Sequence, residues 1–201
     1  MITAIRIVSV SLRLSLAGIA VGCAPPPDVE APPLSPPKRP CAATVQSSLN
    51  GVSIVVTAPV CEFTLAEARK GIALPYEVHV TEPVEVRPSP QDAGGCGQPD
   101  AAGLIVFERL EGKGLIYDAY DTGLCPGRQR PWATIAPTVH RDSFTWDGRA
   151  WRGPSDTGQP KGEAFTPGTY TLTLKAIGTR RQGESEGPFE VETSVPITLT
   201  E

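Results

Sequence analysis

The clearest pattern in this chain is an alternation of apolar and polar residues near its C-terminus. From Phe189 to Thr200 every second residue, starting at Phe189, belongs to one set, and the residues between them are polar apart from Pro196. A period of two is typical of a strand with one buried face. Because proline has no backbone donor, we expect an edge strand or a break at Pro196. The inward set is Phe189, Val191, Thr193, Val195, Ile197 and Leu199.

Shorter stretches show the same alternation and predict further strands. Tyr170–Ala176 places tyrosine, leucine and alanine on one side and threonine and lysine on the other. Many short strands separated by Gly- and Pro-rich turns predict an all-β fold, a β-sandwich or a small barrel. The remaining strands are expected at Val52–Ala58, Tyr76–Thr81, Val84–Arg87, Gly103–Arg109, Leu115–Tyr120 and Ser143–Trp146.

One short helix is predicted between strands. Thr64 and Glu67 have the spacing of a capping box, in which the threonine oxygen accepts from the N3 amide and the glutamate reaches back. Gly71 follows at the point where a left-handed residue would end the helix. We therefore expect a helix of about two turns.

The first 22 residues have the pattern of a secretory signal. Arg6 and Arg13 precede the apolar run Leu14–Ile19, and small residues lead to Cys23. The apolar run is too short to span a bilayer, so we expect residues 1–22 to be a removed signal peptide. Cysteine after small residues resembles a bacterial lipoprotein signal. That resemblance implies diacylglycerol on the Cys23 thiol and favours the outer membrane. An ordinary signal peptide cut nearby, with Cys23 lost or free, is the alternative.

Residues 23–40 are predicted to form a stalk after the lipid anchor. Eight of the seventeen residues from Ala24 to Pro40 are proline, a composition typical of extended polyproline II structure. The alternative is a proline-rich ligand for a peptide-binding module. Residues 41–201 then have the length of one domain.

The cysteine count supports export. Five cysteines leave an even set of four once Cys23 is acylated, and an even set in an oxidising compartment predicts disulfides. A zinc site is disfavoured because no two cysteines are spaced Cys-x-x-Cys and both histidines lie far from any cysteine. Of three possible pairings we favour Cys41–Cys61, opposed across a hairpin at Asn50-Gly51. Cys96–Cys125 follows by elimination.

Charge limits the choice of partners. Loss of Arg6 and Arg13 takes the formal net charge from −4 to −6. An acidic exported domain argues against nucleic acid and against electrostatic binding to anionic lipid, so the membrane contact is expected through the lipid alone.

A second resemblance concerns the stretch from Phe144 to Ala176. Trp146-Asp147-Gly148, then Gly153, then Pro167-Gly168-Thr169-Tyr170 resembles the closing strands of bacterial Ig-like domains. Such strands occur in the Bacillus-type intracellular proteinase inhibitor family and in the flagellar hook-capping protein. The resemblance implies an Ig-like β-sandwich in which Tyr170 packs inward. It transfers no inhibitory residue.

No catalytic constellation emerges, and no cofactor or metal site is expected. The Asp-Thr-Gly triplets at Asp121–Gly123 and Asp156–Gly158 lack the spacing and hydrophobic context of aspartic proteases, and turn chemistry explains them. In His140-Arg141-Asp142-Ser143, neighbouring strand residues point to opposite faces and cannot converge. His79 is expected on the solvent face of its strand.

The remaining candidates for a site are the tryptophans Trp132, Trp146 and Trp151. Trp146 is expected in the core, whereas Trp151 is expected in a loop, either as a partner-binding surface or as a cap over the sandwich. Together these features predict a non-enzymatic, lipid-anchored envelope protein that binds an envelope or extracellular protein for adhesion or assembly. An exported proteinase inhibitor is the alternative, and an enzyme of unknown type a third.

Overall fold

The fold is built almost entirely of strands. A computed structural model describes residues 38–88, 103–118, 131–152 and 160–201. The predicted signal, Cys23, Cys96, Cys125 and both Asp-Thr-Gly triplets lie outside those ranges. The elements are β1 (Thr44–Ser47), β2 (Val52–Val56), β3 (Glu62–Thr64), α1 (Leu65–Lys70), β4 (Ile72–Val80), β5 (Val84–Pro88), β6 (Phe107–Gly112), β7 (Leu115–Asp118), β8 (Ala133–Ile135), β9 (Thr138–Trp146), β10 (Trp151–Arg152), β11 (Gly168–Gln182) and β12 (Ser185–Thr200).

Two sheets pack face to face. The large sheet runs β1-β12-β11-β6-β7-β10, with β3 also on β12 and with β5 on β11 and β8, whereas the small sheet is β2-β4-β9. The inner faces form one apolar core within the unit Pro37–Glu201. The order β12-β11-β6-β7 opposite β2-β4-β9 corresponds to strands G-F-C-C′ opposite A-B-E of an Ig-like sandwich. The predicted all-β class is confirmed.

Pro196 lies on the central strand β12. The backbone amide hydrogen that proline lacks would point to the gap between the two neighbouring strands β1 and β3. On one edge of β12, β1 pairs with Val191–Ser194 and β3 pairs with Thr198–Thr200. The Thr198 amide donates to the Cys61 carbonyl on that side at 2.9 Å. Because backbone donors alternate along a strand, the position of the Pro196 nitrogen faces the same edge, where neither strand needs it. The prediction of an edge strand or a break at Pro196 is therefore wrong: β12 is central and continuous from Ser185 to Thr200, and the interruption lies between its neighbours β1 and β3.

The turn at Asn50-Gly51 is present, but the predicted hairpin is wrong. Gly51 has φ of 70°, yet β1 pairs with β12 and β2 pairs with β4, so the turn joins the two sheets. Cys41 and Cys61 are nevertheless bonded, with their Cα atoms 4.8 Å apart. They meet because the strands that follow them, β1 and β3, both pair with β12.

The predicted capping box forms at α1. The Glu67 amide donates to Thr64 Oγ1 at 3.1 Å, and the Thr64 amide donates to the Glu67 carboxylate at 2.8 Å. Hydrogen bonds from the Lys38 ammonium and the Thr64 amide lower the pKa of Glu67 to about 2. Gly71 has the positive φ expected of a stop, 101°, although its ψ of 128° lies outside the left-handed helical region.

The segment behind the Ig-like resemblance forms one aromatic cluster. The Phe165 ring lies 4.6 Å from the Trp146 ring and 4.7 Å from the Tyr170 ring, measured between centroids. The Tyr170 hydroxyl donates to the Thr166 carbonyl at 2.8 Å, four residues upstream, as in the tyrosine corner of Ig-like sandwiches. Gly148, with φ of 78°, turns the chain beside Ala68 of α1. Trp146 and Tyr170 are buried, as predicted.

We expect Tyr170→Phe to lower the free energy of unfolding by about 1 kcal/mol, because it removes the hydrogen bonds of the hydroxyl with the Thr166 carbonyl and hydroxyl and keeps the ring in the core. Urea denaturation measures the change. Tyr117→Phe, at a ring whose neighbours are aromatic, serves as the comparison. Equal effects of the two substitutions would contradict a specific role for the Tyr170 hydroxyl.

We expect replacement of both Cys41 and Cys61 by alanine to lower the free energy of unfolding by about 3 kcal/mol. The bridge closes a loop with a sequence separation of 20 residues, and its loss frees the unfolded chain. Thermal and urea unfolding without reductant measure the loss. A change below about 1 kcal/mol would show that the bridge does little for equilibrium stability.

Candidate functional site

The predicted partner-binding tryptophan is part of the large sheet. Trp151 lies in β10, which pairs in parallel with β7 so that Trp151 is opposite Tyr117. The prediction of a loop position is therefore wrong. Between β9 and β10 the chain crosses from the small sheet to the edge of the large sheet, and Gly148 in this crossing has φ of 78°.

The Trp151 ring is partly buried against other side chains. It lies 6.2 Å from the Tyr117 ring, and the Lys161 ammonium lies 5.9 Å from its centroid. Its indole N–H is buried and has no hydrogen-bond partner among the described residues. The ring thus covers the end of the core with one part of its surface and leaves another part accessible. This position agrees with the predicted cap over the sandwich, whereas partner binding by Trp151 stays a prediction.

A shallow groove of about 250 Å³ runs beside Trp151. Its side chains are apolar except for Arg152, which is exposed. Beyond one wall, Lys161 forms an ion pair with Asp147. Apolar surface, an aromatic edge and an exposed guanidinium are features of protein-binding sites, where Trp and Arg contribute strongly. The lining residues are Gly114, Leu115, Ile116, Ala150, Trp151, Arg152, Pro160 and Gly162.

Other described residues considered from the sequence lie on the small sheet. On the outer face of the small sheet, Glu77 accepts hydrogen bonds from His79 Nε2 at 2.7 Å and from Arg141 Nε at 2.9 Å. The contact with His79 is the largest cause that lowers the pKa of Glu77. His79 is about one-third exposed, as predicted. The Asp142 carboxylate accepts a hydrogen bond from the neighbouring Ser143 amide at 2.7 Å. This contact occupies a backbone donor on β9, an edge strand of the small sheet.

A partly buried acid was missed from the sequence. Glu108 of β6 faces the interior between the two sheets and accepts a hydrogen bond from the Tyr76 hydroxyl at 2.9 Å. Burial, and then the charge of Asp142, raise the pKa of Glu108 to about 7. The alternation in the sequence could have revealed this, because Glu108 lies two residues from each of the buried residues Val106 and Leu110 and so on the same face of an extended chain. A perturbed carboxyl is a candidate functional group, but its described partner is one tyrosine hydroxyl.

The described ranges contain neither a cluster of metal-binding side chains nor a membrane-spanning helix. Within them, no group of three or more His, Cys, Asp or Glu side chains could hold a metal ion. Their helix is also too short and too polar to cross a bilayer.

Comparisons with known proteins identify no relatives. No protein-family model, no curated protein and no solved structure matches the chain.

We expect Glu108→Gln to stabilise the protein at pH 8 by about 1–3 kcal/mol and to change little at pH 4.5. The folded-state pKa is raised, so between pH 4.5 and about 7 the unfolded chain loses a proton that the folded chain retains. Native stability from this group therefore falls as the pH rises through that window. Glutamine cannot ionise and avoids the loss.

Urea unfolding at a series of pH values measures this difference. Glu111→Gln is the matched control, because Glu111 lies on the same strand and is partly exposed. A constant gap between Glu108→Gln and the wild type from pH 4.5 to 8 would contradict titration of Glu108.

Proposed function

We propose that this chain is an exported, lipid-anchored envelope protein that presents an Ig-like sandwich as a binding module. The observation that carries the proposal is the Cys41–Cys61 bridge, placed directly after the proline-rich segment. Disulfides persist in exported proteins and are rare in reducing compartments. The bridge therefore supports the same location as the N-terminal signal pattern and the lipid on Cys23.

The groove beside Trp151 supports a binding role at one sheet edge. A protein segment that buries apolar side chains there would cover Leu115 and Trp151, and an acidic group on it would pair with Arg152. The adhesion, scaffold or assembly partner is thus expected to be an envelope or extracellular protein with an apolar and acidic contact surface. Nucleic acid is not the expected partner, since the mature chain is acidic.

We expect mass spectrometry of the natively produced chain to find an acylated N-terminal Cys23. The physical reason is that a charged start, a short apolar run and a cysteine after small residues direct export and lipid attachment. A Cys23→Ala variant is expected to leave the membrane fraction. An unmodified Met1 at the N-terminus of the mature protein would contradict both export and the anchor.

We expect partner capture by cross-linking in the envelope to weaken at least tenfold in Trp151→Phe/Arg152→Ser. The phenylalanine keeps a ring over Tyr117, so the loss would come from the surface rather than from unfolding. Arg141→Ser, on the outer face of the small sheet, removes the same charge elsewhere and should leave capture unchanged. Equal capture by all three chains would contradict the groove.

The exported proteinase inhibitor remains the alternative from the sequence resemblance. Titration of a subtilisin-like protease with the purified chain separates the two functions. Stoichiometric inhibition would favour the inhibitor, whereas cleavage without inhibition would favour the binding module.

A further inference from the structure

The first described residues of the chain are fixed to the domain at several points. The Lys38 ammonium lies 2.6 Å from the Glu67 carboxylate, and Arg39 Nε lies 3.2 Å from the Glu62 carboxylate. The Cys61 amide also donates to the Arg39 carbonyl at 3.1 Å. We call these contacts, together with the Cys41–Cys61 bond, the root clamp. The ion pairs are exposed and contribute little energy, so the covalent bond is its strong member.

The strand that follows the root clamp, β1, buries none of its four residues. All four residues of β1 are exposed, including Val45 at 48%, and the strand lies at the edge of the large sheet. It is attached through its ladder with β12 and through Ser48, whose amide donates to the Glu190 carbonyl at 2.8 Å. Segments with few buried apolar contacts open at low cost. A chain pulled from its N-terminus would therefore lose β1 first.

The strand on the other side of the bond is better supported. Cys61 is 3% exposed and its carbonyl accepts from the Thr198 amide of β12. It leads into β3, which pairs in parallel with β12, and then into the capped helix α1. Force applied at Cys41 is therefore transmitted through the disulfide to Cys61 and not through the backbone of β1.

We propose that the root clamp transfers tension from the N-terminal tether to β3 and β12, so that the exposed strand β1 carries no load. This inference rests on the proposed function in one respect only, since a membrane anchor is the source of the tension. It adds a mechanical role for the Cys41–Cys61 bond to its effect on stability. A module that binds a partner outside the cell would otherwise begin to unfold at its attachment.

Single-molecule pulling tests the proposal. The chain from Ala24 to Glu201, made in an oxidising compartment with a handle at each end, contains the whole compact unit and needs no lipid. We expect it to unfold without an early step. The variant Cys41→Ala/Cys61→Ala is expected to lengthen by about 25 Å at low force before the main rupture, because the eight residues from Cys41 to Ser48 are released.

Cys96→Ala/Cys125→Ala is the matched control, and it should show no early step. If the Cys41→Ala/Cys61→Ala chain does not fold, reduction of the control chain while it is held folded supplies the same comparison, because only the Cys41–Cys61 bond can then be reduced. An early step in the chain that retains the bond would overturn the proposal. A single rupture at unchanged force after loss of the bond would overturn it too. The mass of the mature N-terminus tests the lipid anchor separately.

Discussion

The pairing of β11 with β12 is the interaction on which the rest of the sandwich depends. These strands are matched residue for residue from Gly168↔Leu199 to Gln182↔Ser185. Every other strand of the large sheet except β7, β8 and β10 pairs directly with one of the two. Because the two are joined by a tight turn, their pairing needs little loop closure, whereas each strand added to them comes from far along the chain. The hairpin thus provides the template on which the long-range contacts form.

Two polar groups show how the sheets are held against each other without a purely apolar interior. Thr193 is fully buried, and its hydroxyl donates to the Ile54 carbonyl of β2 in the opposite sheet. Glu108 and Tyr76 make a similar contact between β6 and β4. A buried hydrogen bond fixes the alignment of its partners because leaving either unpaired is costly. The Thr193 contact is neutral, whereas the Glu108 contact depends on pH since the carboxyl can ionise near neutrality.

Helix α1 contacts both the first described residues and the turn that leads to β10. Helix α1, which holds Lys38 through Glu67, approaches the turn at Gly148, and that turn leads into Trp151. The attachment of the chain and the candidate binding groove therefore share a supporting region of the fold.

The sequence alone predicted the all-β class, the helix cap and the inward face of β12, because each depends on residues close in the chain. The Ig-like resemblance implied that Tyr170 packs inward, Trp146 was expected in the core, and alternation could have identified Glu108 as inward-facing. The alternation could not show which strands pair with each other. The Cys41–Cys61 pairing was correct for a wrong reason, since the two cysteines meet through β12 and not across a hairpin.

What only the tertiary structure decided was which strands are neighbours. It placed the gap opposite Pro196, put Trp151 on a sheet edge and set Glu108 against Tyr76. Strand neighbours are chosen by contacts between segments distant in sequence, and no local pattern of apolar and polar residues encodes that choice.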